Sequence, residues 1–236
     1  MKKPAILIAV LVAAFVMVSA NTAFAQDDSG GKSLGDIIVG GGIIGWVIIL
    51  LSVISLALAI EHFVTVRRDK IVPPELIDEV EALFEEEEYQ EALELCENEP
   101  NFLTNILSAG LPKINAGFDA MEKAMDEVAE EETIKLHQKI GWLSLIGNIA
   151  PMMGLFGTVS GMIGAFNEIT RLGANVTPKD LSAGISTALI TTLFGLFVAM
   201  PSLFFFFLFR NKVIKVSLEI TAIAADLVER FRPQVS

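Results

Sequence analysis

The sequence predicts an all-α membrane protein: three transmembrane helices after a cleavable signal peptide, with a helical cytoplasmic domain between the first and the second. Three observations predict it. Hydrophobic residues fill 53% of the 236 positions and charged residues only 19%, with a mean hydropathy of +0.58, more apolar than a soluble domain of this length requires. Three uncharged apolar runs are each long enough to cross a bilayer. The charge is segregated as well. Most of the acid behind the formal net charge of −12 lies between Glu75 and Glu132, outside every apolar run.

Each element follows in order. Lys2 and Lys3 precede an apolar stretch from Ala5 to Val18, and Ala23-Phe24-Ala25 has the small-residue pattern of a cleavage site. Residues 1–25 therefore read as a signal peptide, the alternative being an uncleaved anchor helix, and both put residues 26–36 outside the cytoplasm. The first span covers 37–60, longer than the roughly 20 residues a crossing needs. Arg67, Arg68 and Lys70 follow it and mark a cytoplasmic end. Residues 61–140 have the composition of a soluble helical domain. Leu76, Val80, Leu83 and Phe84 recur at helical spacing, and Tyr89, Ala92, Leu93 and Cys96 continue the pattern past Glu85–Glu88. That acidic run reads as a solvated helix face, since it lacks the alternating ligands and glycine of a calcium loop. Pro100 and Pro112 break the domain into short helices, and a longer one runs from about Asp119 through Ile140 into the second span, 141–166. A periplasmic loop is expected over 167–180, where Gly173, Asn175 and Pro178 supply turn chemistry. The third span covers 181–209. Arg210, Lys212 and Lys215 mark its cytoplasmic end, and the tail, 210–236, reads as an amphipathic helix.

Several function classes are excluded. The acidic balance argues against nucleic acid. Cys96 is the single cysteine and has no internal disulfide partner. His62 and His137 sit in no cluster with metal-ligand spacing, and no catalytic set or phosphate-binding glycine loop is present. No cofactor, no metal and no enzymatic activity are expected.

The spans carry no Asp, Glu, Lys, Arg or His. Intramembrane ionisable groups normally mark ion relays, so this chain can supply walls and hydroxyls to such a path but not its titrating group. At about 100° per residue, Gly147, Ala150, Gly154, Gly157, Thr158, Gly161 and Ala165 fall within an arc of about 100° on the second span. Gly184, Thr187, Ala188, Thr191, Thr192, Gly195, Ala199 and Ser202 fall within about 140° on the third. Small stripes let membrane helices approach closely, which assigns helix packing to Gly154, Gly157, Gly161, Gly184 and Gly195. A single membrane hydroxyl usually bonds its own helix one turn back. Close packing alone could use alanine in place of Thr187, Thr191 and Thr192, so this cluster suits contact with a polar group or a file of water. Pro151 and Pro201 are expected to kink their spans.

The stretch Ile149-Ala150-Pro151-Met152-Met153-Gly154-Leu155-Phe156-Gly157-Thr158-Val159-Ser160-Gly161-Met162-Ile163 resembles the second-span signature of the MotA/TolQ/ExbB proton channel family. Asp180-Leu181-Ser182-Ala183-Gly184-Ile185-Ser186-Thr187-Ala188-Leu189-Ile190-Thr191-Thr192-Leu193-Phe194-Gly195-Leu196, with Ala199-Met200-Pro201, resembles its third span. With their spans, these motifs cover about a quarter of the chain, and the three-span layout is similar to the ExbB/TolQ branch. The resemblance implies a multi-pass protein of the bacterial inner membrane. It implies a homopentamer whose second and third helices surround a dimer of an ExbD/TolR-like single-span partner bearing a membrane aspartate, with a TonB-like protein as a further partner. Proton flow would then drive rotation and energise outer-membrane transport or envelope maintenance. Thr158 and Thr192 match the family's pore threonines, and Thr187 and Thr191 join them on the proposed proton pathway. The sequence departs from the family at Thr187, where many members carry glutamate. Two other readings stand beside this one: a flagellar- or gliding-type stator subunit, and a structural membrane scaffold without proton transport.

Overall fold

A computed structural model describes residues 42–173 and 177–232. The expected signal peptide, residues 26–36, the first five residues of the first expected span, loop residues 174–176 and tail residues 233–236 lie outside the described residues. Helices and short turns make up those described, with no strand among them. The helices are α1 (Gly42–Thr65), α2 (Arg68–Ile71), α3 (Pro74–Glu85), α4 (Tyr89–Asn98), α5 (Phe102–Gly110), α6 (Phe118–Leu172) and α7 (Pro178–Val228). A 3₁₀ turn, Leu111–Ala116, precedes α6, and another, Glu229–Phe231, follows α7. α1, α6 and α7 each contain a stretch long and apolar enough to cross a membrane.

Local chemistry sets most boundaries. Pro74 occupies the first position of α3, where its missing N–H has no intrahelical partner to lose. Asn101 caps α5: its side-chain oxygen accepts from the N–H groups of Leu103 (2.9 Å) and Thr104 (3.1 Å), and Thr104 Oγ1 accepts in return from the Asn101 N–H (2.8 Å). Gly117, at φ +102°, separates the 3₁₀ turn from α6, a backbone conformation that side chains resist.

One sequence expectation is corrected, and two helices run on past the expected spans. The acidic run is not a continuous helix face. α3 ends at Glu85 and α4 begins at Tyr89, with Glu87 at φ +62° between them. Like charges crowd there, and the Glu91 carboxylate raises the pKa of Glu88, so a solvated turn separates them more easily than a helix would. Helix enters the stretch 167–180 from both sides. α6 continues to Leu172, with Arg171 Nε on Glu168 (3.0 Å) and Thr170 Oγ1 on the Asn167 carbonyl (2.7 Å), and α7 restarts at Pro178. α1 also passes the first charge after the apolar run, carrying an exposed Glu61 and a buried His62.

The chain divides into two compact units. One, the span unit, comprises 42–63 and 143–205 among the described residues; the other, the acidic unit, comprises 64–142 and 206–232. In the span unit Ile48 of α1 packs with Ile146 and Ala150 of α6 and with Val198 and Ala199 of α7. Outside this thin core the surface is apolar, with Trp46, Phe156, Phe166 and Leu189 all more than half exposed. No such surface is stable in water, and a bilayer or neighbouring subunits would cover it.

The acidic unit has a conventional core. Val80 and Phe84 of α3, Cys96 of α4, Leu103, Ile106 and Leu107 of α5, Met121 of α6 and Ile220 of α7 are buried together. Arg230 donates to the Phe84 carbonyl (2.6 Å) and lies over the Phe84 ring (5.6 Å), fastening the end of the chain to α3. Arg68 of α2 reaches Glu219 of α7 (2.7 Å). These contacts tie sequence-distant segments into one body.

Candidate functional site: the glycine and hydroxyl face of the span unit

α6 and α7 meet in the span unit through backbone. A methyl group added at Gly195 would lie 2.5 Å from the Ala150 carbonyl oxygen, and one at Gly154 would lie 2.9 Å from Thr192 Cα. At Gly161 it would stand 2.9 Å from the Gly184 oxygen, and at Gly184 3.0 Å from the Gly161 oxygen. At Gly157 it would meet Thr191, whose Cβ would be 2.6 Å away. Each of the five glycines thus sits where any side chain would press on the other helix. All but the Gly157 contact are against backbone, which cannot swing aside.

The hydroxyls divide into three groups. Thr192 Oγ1 donates across the helix pair to the Gly154 carbonyl (3.2 Å). Thr191, 1% exposed, donates to Ala188 one turn back (2.8 Å) with the same Gly154 oxygen 3.5 Å away. Gly154 therefore presents its carbonyl to two threonines, which is possible because nothing but hydrogen screens its Cα. Thr158 donates to the Leu155 carbonyl of its own helix (2.7 Å), the local bond that membrane hydroxyls commonly make. Thr187 is partly buried on α7. Thr191 and Thr192 are brought to one point; Thr158 and Thr187 do not share it. α6 and α7 stay helical through Pro151 and Pro201.

One polar contact was missed from the sequence. Ser55 of α1 and Ser202 of α7 are both buried, with oxygens 2.6 Å apart. Ser202 also reaches the Val198 carbonyl (2.7 Å). A hydroxyl has one proton, so with Ser202 donating to Val198, Ser55 must donate to Ser202. The signal was a serine inside an apolar run, a residue type that bonds between membrane helices.

Residues 42–60, 143–166 and 184–205 contain no Asp, Glu, Lys, Arg or His. Among the described residues no group of His, Cys, Asp and Glu could hold a metal ion. Over these stretches α6 and α7 therefore offer hydroxyls, carbonyls and close-packed walls, and no charge.

Three apolar helices, two of them joined along glycine and lined with hydroxyls, are the architecture of a multi-pass membrane protein. The chain belongs to the MotA/TolQ/ExbB proton channel family, whose sequence model matches residues 97–222, from α4 to the far part of α7. It is 32% identical over 161 residues to a putative biopolymer transport protein ExbB homolog of Methanothermobacter thermautotrophicus, covering 68% of this chain and 57% of that one. It is 35% identical over 112 residues to the biopolymer transport protein ExbB of Xanthomonas campestris pv. campestris, 47% of this chain and 44% of that one. It is 33% identical over 88 residues to the Tol-Pal system protein TolQ of Pseudomonas aeruginosa, 37% of this chain and 38% of that one. The similarity thus spans about a third to somewhat over half of these relatives, and it places the chain in the ExbB/TolQ-like branch.

Proposed function

We propose that this protein is the channel-forming subunit of a proton-driven motor in the bacterial inner membrane. Five copies surround a dimer of an ExbD/TolR-like single-span protein, whose membrane aspartate supplies the titrating group. The observation that carries this reading is the meeting of α6 and α7 over 143–166 and 184–205: walls of glycine and hydroxyl that contain no ionisable residue, inside the segment shared with the family. A carboxyl in a bilayer resists ionising unless polar groups receive it. Thr158 and Thr192 orient water or that carboxyl, Thr187 and Thr191 extend the polar face, and Pro151 and Pro201 bend the helices around it. Flow of protons turns the partner against the ring and energises outer-membrane transport or envelope maintenance, with a TonB-like protein as the effector in the first case. The acidic unit lies in the cytoplasm in this arrangement, since Arg67, Arg68, Lys70, Arg210, Lys212 and Lys215 all flank the spans on its side.

The test is proton flux in vesicles holding this subunit and its partner, measured beside oligomer yield. Threonine and valine are nearly the same size, so Thr158→Val and Thr192→Val keep the packing and delete the hydroxyl. The Thr192 hydrogen bond contributes roughly 0.6 kcal/mol as a typical interhelical membrane bond. Yield should therefore hold while flux falls. Unchanged flux in both variants would reduce the threonines to packing residues. Thr187 favours a second reading, a scaffold without proton transport, because the family's frequent glutamate is absent there. Absence of flux in the parent complex, with the ring intact, would establish the scaffold instead.

A further inference from the structure

In a chain of formal net charge −12, one region of the acidic unit reverses the sign. Arg67, Arg68 and Lys70 follow α1, and Arg210, Lys212 and Lys215 lie on α7 just past its apolar stretch, with only Asp69 and Glu219 as acids in the same two segments. The fold brings these segments together. Arg68 Nε donates to Glu219 (2.7 Å), which ties α2 to α7. Arg67, immediately before α2, stands close enough for its charge to act on Lys212. Burial lowers the pKa of Lys212, the Arg67 charge lowers it further, and Asp69 offsets part of this. Two neighbouring cations, one of them partly withdrawn from water, each raise the cost of the other's charge. An anion received between them would relieve both costs.

The order of residues along α7 narrows the kind of anion. At about 100° per residue, Leu208, Lys212, Lys215 and Glu219 fall within an arc of about 60°. Followed away from the span, this stripe is apolar, then cationic twice, then the acid that Arg68 already holds. Leu208 is exposed, and so is Val64 in the last turn of α1, three residues before Arg67. Exposed apolar surface leading onto paired cations at the end of a span matches a lipid, whose acyl chain needs the first and whose phosphate needs the second. A free phosphate would have no use for Leu208 or Val64. Arg210 falls about 160° from Lys212, on the other side of the helix at the same end of the span.

We propose that Arg67 and Lys212, with Lys215 beside them and Leu208 one turn nearer the span, form a headgroup site for an acidic phospholipid. The phosphate diester would sit between the two cations and an acyl chain would lie along Leu208 and Val64. The site requires only that the spans cross a bilayer and does not depend on proton transport.

The experiment uses the full chain in a mild neutral detergent, with phosphatidylglycerol replacing phosphatidylcholine at constant total lipid. Phosphatidylglycerol should raise the thermal unfolding midpoint saturably, because a ligand of the folded state stabilises it, and inorganic phosphate at the same concentration should not. Arg67→Gln and Lys212→Gln should each weaken the apparent affinity about fivefold, as expected for one cation at a lipid surface. Arg210→Gln removes the same charge from the opposite side of α7 and should weaken it less than about twofold. In phosphatidylcholine alone, Lys212→Gln should be as stable as the parent or more so, since a partly buried charge beside Arg67 is gone. A lysine with a purely structural role would instead lower stability in both lipids. No midpoint rise with phosphatidylglycerol would overturn the site. Equal weakening by Arg210→Gln would replace it with diffuse attraction, and an equal response to inorganic phosphate would replace the lipid with a free anion. Dissociation of the oligomer by Arg67→Gln, with the phosphatidylglycerol response intact, would assign the cations to a contact between copies.

Discussion

The same two long helices pass through both units, yet the units hold them by opposite means. In the span unit α6 and α7 touch through glycine and carbonyl, with large side chains such as Phe156 and Leu189 turned outward. In the acidic unit the large side chains are inside, Phe84, Leu103 and Met121 among them, and carboxylates face out. The difference follows from the solvent. Water drives apolar side chains together, so a domain surrounded by it is held by buried volume. Lipid is as apolar as leucine, so helices within it gain little by hiding side chains and associate through close backbone approach and hydrogen bonds.

This contrast can be broken deliberately. The largest effect is expected in the acidic unit from Phe84→Ala, which empties a fully buried site touched by Tyr89, Phe231 and Arg230. It should cost about 4 kcal/mol, measured by urea unfolding followed through that unit's fluorescence or protease resistance. The span unit should instead be most sensitive to added atoms. Gly195→Ala introduces a single methyl group 2.5 Å from the Ala150 oxygen and should cost about 2 kcal/mol, read as a lower midpoint in detergent unfolding. Gly141, which has open space at its Cβ, should accept alanine without loss, so equal sensitivity at both positions would refute the close-packing account.

Smaller effects sharpen the comparison. Asn101→Ala removes the side-chain cap of α5 and should lower stability by about 1 kcal/mol, visible in the acidic unit's thermal transition and not in the span unit's. The smallest is conditional on pH. Burial pushes the Cys96 thiol from its ordinary 9.0 up to about 11. The unfolded thiol ionises first, so its contribution to stability is constant below about pH 9 and falls as pH rises toward 11. The stability difference between the parent and Cys96→Ala should therefore be flat from pH 7 to 9 and shrink above it. A difference that stays flat to pH 11 would mean the thiol is not shielded.

What could be read from residues alone was whatever one helix decides by itself. Apolar runs longer than a bilayer, the clustering of small residues on one arc of the second and third spans, and the helical spacing of Leu76, Val80 and Phe84 all follow from composition and period. The family motifs were legible for the same reason, being contiguous strings of residues. Other features required two segments to meet. The azimuth of Thr192 placed it near a partner helix, but only the approach allowed by Gly154 turned its hydroxyl onto that carbonyl rather than back along α7. Ser55 became a donor only because α1 set it against Ser202. The acidic run Glu85–Glu88 has helical neighbours on both sides, yet the turn there lets Tyr89 meet Phe84 and Phe231 in the core, and that burial outweighs the strain at Glu87. Periodicity determines which face a residue occupies; only packing determines what stands opposite it.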